Sequence, residues 1–267
     1  MNADFGSMAT PRRTRYPVVE NLPGPRRQLA AEIELPLIDC PVAGLEPCSL
    51  IDYPGHIAAV VFLGGCNLKC HYCHNPQLIN HGAKPGFMSL AELMTFLVQR
   101  RSLLDGVVIS GGEPSLQPDL APFIKLIRPL GYKIKLDSNG TRPLVLESLL
   151  SQGLLDFMAM DVKAPPQDPA LYAKISGVEV DTANIRQSID LIRNHARFHP
   201  EFSYEFRTTA SADLEVQDIM GIGAALSGAR SYALQVCRPG PGLPGSTLEE
   251  LASLLGPMYN IERVLVR

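Results

Sequence analysis

The 267-residue chain is 46% hydrophobic, contains no tryptophan and carries a formal net charge of -3. That length suits one large α/β domain with an ample core, and the charge balance gives no electrostatic reason to expect nucleic acid as a partner. No run of about 18 uncharged apolar residues exists, so no membrane span is expected; Met1–Thr10 has no apolar signal core, so export is not expected either.

Residues 1–43 read differently from the rest. Arg12, Arg13, Arg15, Arg26 and Arg27 alternate with Pro11, Pro17, Pro23, Pro25, Pro36 and Pro41. Such a Pro/Arg mixture predicts a mobile arm, with residues 44–267 forming the folded domain. From Gly44 onward, strand and helix alternate. Apolar runs rich in β-branched or aromatic residues predict strands at Ile57–Leu63, Gly106–Ser110, Lys133–Asp137, Phe157–Val162, Phe202–Thr208 and Ser231–Val236, with a short last one near Arg263–Arg267. Helices are expected at Ser89–Arg101, Asp119–Leu130, Pro143–Gln152, Asp181–Arg197, Asp213–Leu226 and Ser246–Leu255. Repeated strand–helix units imply a parallel sheet with right-handed crossovers. Six units are too few for a full eight-fold barrel, which takes about 250 residues. A partial, open (β/α)6 barrel is the expected fold.

Six cysteines in a chain this long do not read as a secreted disulfide framework, and three of them lie together in Gly65-Cys66-Asn67-Leu68-Lys69-Cys70-His71-Tyr72-Cys73-His74-Asn75-Pro76. This points to metal binding in a reducing compartment, with the cytoplasm as the default. A C-x3-C-x2-C loop at the end of the first predicted strand lets three thiolates converge on a cubane cluster. Four-iron clusters normally take four cysteines, so one iron is left open for a substrate. The alternative is a structural zinc site made of the cysteines with His71 or His74. Cys40 and Cys48 read as free structural thiols, and residues 74–109 hold no cysteine for a second cluster.

Other polar clusters follow the later strands. Ser110-Gly111-Gly112-Glu113-Pro114 lets backbone approach a ligand closely, or is an ordinary turn. Asp137-Ser138-Asn139-Gly140-Thr141 offers short polar side chains to ribose hydroxyls, or is an Asn-Gly turn. In Met160-Asp161-Val162-Lys163 the two charges share one face of a strand; they bind a charged ligand or form a self-contained ion pair. Arg207 is a further site candidate, and Gln235 to Pro239 are left open. Every cluster falls at the C-terminal end of a predicted parallel strand, where barrel enzymes build active sites.

The cysteine loop resembles the cluster motif of the radical S-adenosylmethionine (SAM) superfamily, C-x3-C-x-aromatic-C, with Tyr72 in the aromatic slot. Gly111-Gly112-Glu113-Pro114 is similar to the family's GGEP motif. The resemblance implies one [4Fe–4S] cluster on Cys66, Cys70 and Cys73, S-adenosylmethionine on its open iron, and a 5′-deoxyadenosyl radical released by reduction. It implies that Gly111, Gly112 and Glu113 receive the methionine amino group. Asp161 and Lys163 resemble the Asp-x-Lys of pyruvate formate-lyase activating enzyme. This implies that Lys163 meets the cofactor's carboxylate and that Asp137 and Asp161 flank a monovalent cation. That relative carries a histidine near the adenine at about the position of Cys237, and this chain departs from it there. Cys73-His74-Asn75-Pro76 and Ser49-Leu50-Ile51-Asp52-Tyr53-Pro54-Gly55 are similar to the activases of glycyl radical enzymes, and the second to those of anaerobic ribonucleoside-triphosphate reductase. A flavodoxin or ferredoxin-type electron donor is implied. The alternatives are a radical SAM enzyme acting on a small molecule, such as a cofactor or nucleoside precursor, and a non-catalytic iron–sulfur module.

Overall fold

A computed structural model describes residues 37–80, 88–238 and 240–267; the predicted arm therefore lies almost wholly outside the described residues. Its last residues already belong to the domain, since Ile38 and Cys40 pack on the core. Strand β1 (Val42–Ser49) runs antiparallel to β2 (Ala58–Leu63). Then come β3 (Gly106–Gly111), β4 (Lys133–Ser138), β5 (Phe157–Asp161), β6 (Ser203–Ala210), β7 (Tyr232–Val236) and β8 (Val264–Val266). The sheet order is simply sequential, and every pairing from β2 to β8 is parallel. Strands β2 to β7 are the expected six-unit core, and among the described residues β1 and β8 are the edge strands of the sheet.

Helices α1 (Leu90–Arg100), α2 (Leu120–Ile127), α3 (Pro143–Ser151), α4 (Pro169–Ser176), α5 (Thr182–Phe198), α6 (Val216–Ala225) and α7 (Gly245–Tyr259) link the strands. Their starts are chemically marked. Ser89 and Glu92 exchange hydrogen bonds in a capping box at α1, Asp168 caps α4, and Asp181 caps α5. The helices cover the outer face of the sheet, where Val61, Val107, Ile109, Leu136, Met158 and Phe206 meet Leu93, Phe123, Ile124, Leu146 and Ile189 in one apolar cluster.

The alternate residues face the barrel lumen, and they change character with height. Low in the lumen, Ala58, Val60, Val108, Phe157 and Ala159 form a small apolar plug with Tyr53. Higher up, β3, β4, β5 and β6 carry Ser110, Asp137, Asp161 and Arg207 into a cleft.

Candidate active site

The cysteine loop leaves the C-terminal end of β2 and is held by its own backbone. Gly65 N–H donates to Leu78 O at 2.8 Å, Cys66 N–H to Ile79 O at 3.2 Å, and Lys69 N–H to Ser176 O at 2.8 Å. Gly177, at φ 68°, closes α4 directly behind this loop; a Cβ there would lie 2.4 Å from Lys69 O. The thiols are half-buried. Burial pushes Cys66 up to about 11, against the pull of the Leu68 N–H on its sulfur, and burial also raises Cys70, although Lys163 pulls it down. A cluster bound here would have to displace thiol protons that burial holds more tightly at Cys66 and Cys70.

The β3 loop lies hard against the cysteine loop. A Cβ on Gly112 would sit 2.0 Å from Gly65 O, and one on Gly111, at φ 122°, 2.2 Å from Leu63 O. Only glycine allows this approach. Glu113 N–H donates to Gly65 O at 2.8 Å, locking the two loops together. The Glu113 side chain is engaged by the protein itself: it accepts from Ser115 N–H (3.0 Å), Ser115 Oγ (2.6 Å), Ser138 Oγ (2.9 Å) and Asn139 N–H (2.6 Å). Burial raises its pKa, opposed by those donors. The carboxylate works as a hub that ties the β3 loop to the β4 loop. Asn139 Nδ2 then donates to Asn67 Oδ1 at 2.9 Å, and Asn67 Nδ2 to Thr141 Oγ1 at 2.8 Å, which joins the β4 loop to the cysteines.

Beneath these loops runs a ladder of charges. Lys135 Nζ pairs with Asp137 Oδ1 at 2.5 Å. Arg207 Nη1 lies 3.4 Å from the same oxygen, and its Nε donates to Asp161 Oδ1 at 2.9 Å. Lys163 Nζ stands 3.6 Å from Asp161 Oδ2 and 5.8 Å from the centre of the Tyr72 ring. Burial is the largest single influence and would raise both carboxyl groups; Arg207 together with Lys135 at Asp137, and Arg207 together with Lys163 at Asp161, overcome it, so both end below the ordinary carboxylate range. Lys163 ends well above its usual value, because Tyr72, Asp161 and Cys70 overcome the burial penalty. For Lys135 burial wins over Asp137, and its pKa falls.

One cleft of about 960 Å³, its open mouth included, is lined by Cys66, Cys70, Tyr72, Cys73, Gly111, Gly112, Glu113, Asp137, Ser138, Asn139, Asp161, Lys163 and Arg207. A comparison with protein families matches residues 60–198 to the radical SAM superfamily. A protein of Methanocaldococcus jannaschii named as a glycyl-radical enzyme activating enzyme is 34% identical over 203 residues, covering 74% of this chain and 80% of the relative.

The chain belongs to the radical SAM superfamily.

The pyruvate formate-lyase-activating enzyme of Clostridium pasteurianum is 35% identical over 133 residues, 48% of this chain and 54% of that enzyme. Among solved structures, QueE from Escherichia coli superposes with a TM-score of 0.52 at 17% identity, over 85% of this chain and 93% of QueE. Streptococcus suis SuiB bound to its precursor peptide superposes with a TM-score of 0.58 at 15% identity, over 78% and 48%. At those identities the match is one of fold, the partial barrel. This protein is thus a radical SAM enzyme, homologous to glycyl-radical enzyme activating enzymes, and its family works with a [4Fe–4S] cluster and S-adenosylmethionine.

The residues present suit that pair of cofactors: three thiols on one loop, and a glycine cradle that any Cβ would fill. Every site residue expected from the sequence of this radical SAM enzyme lines the one cleft. The structure adds Ser110, Thr209 and Gln235 to the lining, and it adds Lys135, which was read only as part of a strand. It also adds Asp213, whose carboxylate reaches His71 Nε2 at 3.1 Å and Lys174 Nζ at 2.9 Å, clasping the cysteine loop to α4. Cys237 is buried and is not among the residues that line the cleft. Among the described residues, no helix is long and apolar enough to cross a membrane.

Proposed function

We propose that this radical SAM enzyme takes a hydrogen atom from a glycine Cα of a partner glycyl radical enzyme, and that the partner is an anaerobic ribonucleoside-triphosphate reductase. The observation that carries the activase reading is the similarity to an activating enzyme over four fifths of that relative's length. The Cys73-His74-Asn75-Pro76 and Ser49-to-Gly55 stretches support the choice of partner.

In this reading Cys66, Cys70 and Cys73 ligate the cluster, which with S-adenosylmethionine and one electron supplies a 5′-deoxyadenosyl radical. Gly111 and Gly112 present backbone carbonyls to the methionine ammonium. Lys163, cationic and buried, receives the carboxylate, while the Tyr72 ring lies 5.8 Å from its ammonium nitrogen. Ser138 and Asn139, fixed by Glu113, face the ribose. Asp137, Asp161 and Arg207 set the charge of the floor. The electron comes from a flavodoxin or ferredoxin-type donor in the cytoplasm, and neither nucleic acid nor membrane takes part.

The test is anaerobic mixing of the reduced, cluster-loaded protein with S-adenosylmethionine and the candidate reductase. A glycyl doublet in the electron paramagnetic resonance spectrum is expected. Cofactor cleavage with no doublet on any glycyl radical enzyme would transfer the reading to a small-molecule substrate.

A further inference from the structure

The resemblance to pyruvate formate-lyase activating enzyme implies a monovalent metal ion between the carboxylates matching Asp137 and Asp161. The structure disagrees. The inward oxygens of both carboxylates already face fixed cations of the chain: Asp137 Oδ1 meets Lys135 Nζ at 2.5 Å and Arg207 Nη1 at 3.4 Å, and Asp161 Oδ1 accepts from Arg207 Nε at 2.9 Å. The outward oxygens are engaged as well, Asp137 Oδ2 by Ser110 Oγ at 3.0 Å and Asp161 Oδ2 by Lys163 Nζ at 3.6 Å. Three cationic side chains thus stand against the two carboxylates and, with Ser110, occupy their oxygens. A further cation would be repelled by them.

Two features keep this arrangement in place. Lys135 is buried, at 3% exposed, and sits two residues before Asp137 on β4, so both side chains enter the lumen from the same face. Arg207 spans from β6 to β4 across β5. Its other acidic neighbour, Glu205, is occupied elsewhere, because Arg267 binds it through two nitrogens at 2.8 Å each. The guanidinium is therefore left to the two aspartates.

We infer that Lys135 and Arg207 stand where a monovalent ion would otherwise sit, so that this enzyme binds S-adenosylmethionine without one. Lys135 is a positioning residue: it fixes Asp137, and through Arg207 the height of Asp161 and Lys163. The inference rests on the proposed function only in taking this cleft as the cofactor's site.

The test is an equilibrium titration of the cluster-loaded protein with S-adenosylmethionine at constant ionic strength, in buffers whose sole monovalent cation is potassium, sodium or tetramethylammonium. The wild-type dissociation constant is expected to be the same in all three. In Lys135→Met the ammonium is gone and a small ion can replace it, so affinity in tetramethylammonium should fall about tenfold and recover in potassium or sodium. Lys135→Arg, which keeps the charge, should remain indifferent to the ion. A wild-type or Lys135→Arg protein that binds only when potassium or sodium is supplied overturns the inference, as does a Lys135→Met protein whose affinity ignores the salt. If Lys135→Met does not fold, the other two proteins decide. Absence of binding in every salt overturns the proposed function, and the inference falls with it.

Discussion

Asp156 and Asp161 stand at the two ends of β5, and their surroundings are opposite. Asp156, at the N-terminal end, is 16% exposed and accepts from Ile134 N–H at 2.8 Å, while its ion-pair partner Lys133 is 56% exposed. Asp161, at the C-terminal end, is itself 34% exposed, but Lys163 and Arg207 beside it are only 11% and 15% exposed. At the lower end a sheltered carboxylate stitches backbone and pairs with the more exposed Arg128 and Lys133. At the upper end the cations are sheltered and the carboxylate looks onto a cleft. The same residue type on one strand is thus a fastening at one end and part of a charged ligand floor at the other, which is the division of labour that parallel barrels impose.

The sharpest way to test this division is to remove chemistry from the upper end alone. In Cys70→Ala, iron and acid-labile sulfide in the reconstituted protein should fall to background and cofactor cleavage should vanish, with little change in unfolding by urea. Next in size is Arg207→Met, which leaves two carboxylates facing each other without their shared cation. Breaking such a buried network costs about 3–5 kcal/mol, to be read from urea unfolding, together with a loss of S-adenosylmethionine affinity. Asp156→Asn probes the lower end. It should cost about 1–3 kcal/mol of folding stability, the penalty for disturbing a sheltered acceptor, and leave cofactor affinity unchanged. A weakened affinity in that variant would break the comparison.

The smallest effect is one of pH. Burial lifts Cys66 from 9.0 to about 11, and a group whose pKa is raised on folding stabilises below its unfolded value and loses that contribution as pH climbs through the folded one. Cluster-free protein should accordingly lose stability between pH 9.0 and about 11. In Cys66→Ala this alkaline decline should be shallower in a denaturation series.

Most of this was legible in the residues, and the gaps have physical causes. The six parallel strands were readable because β2 to β7 are apolar runs bounded by turn chemistry. Strand β1 was not, because Gly44 and Pro47 interrupt it, its register shifts twice, and only Val42 and Ser49 are buried. Helix α4 was missed because eight residues are too few to show a period, although its Asp168 cap and Pro169 were present. Lys135 was missed for a subtler reason. Alternation in Lys133-Ile134-Lys135-Leu136 reads as one dry face and one wet face. In a curled sheet the polar side of such a strand can be the lumen, so the residue that looked solvated is among the best buried. The cleft residues themselves were found because they follow strand ends, where the pattern breaks from apolar to polar within one or two positions.

The backbone ties around the cysteines carry a last consequence. The amides of Gly65 and Cys66 are anchored to the Leu78–Ile79 segment and that of Lys69 to the end of α4, and Gly112 and Gly177 press on the same loop from two sides. Such a receptacle is shaped by the polypeptide rather than by the inorganic core it receives. Assembly should then resemble filling a mould, with little chain entropy left to surrender, in contrast to zinc fingers that fold only around their ion. Protein stripped of iron should keep its circular dichroism spectrum and accept a fresh cluster without first being unfolded.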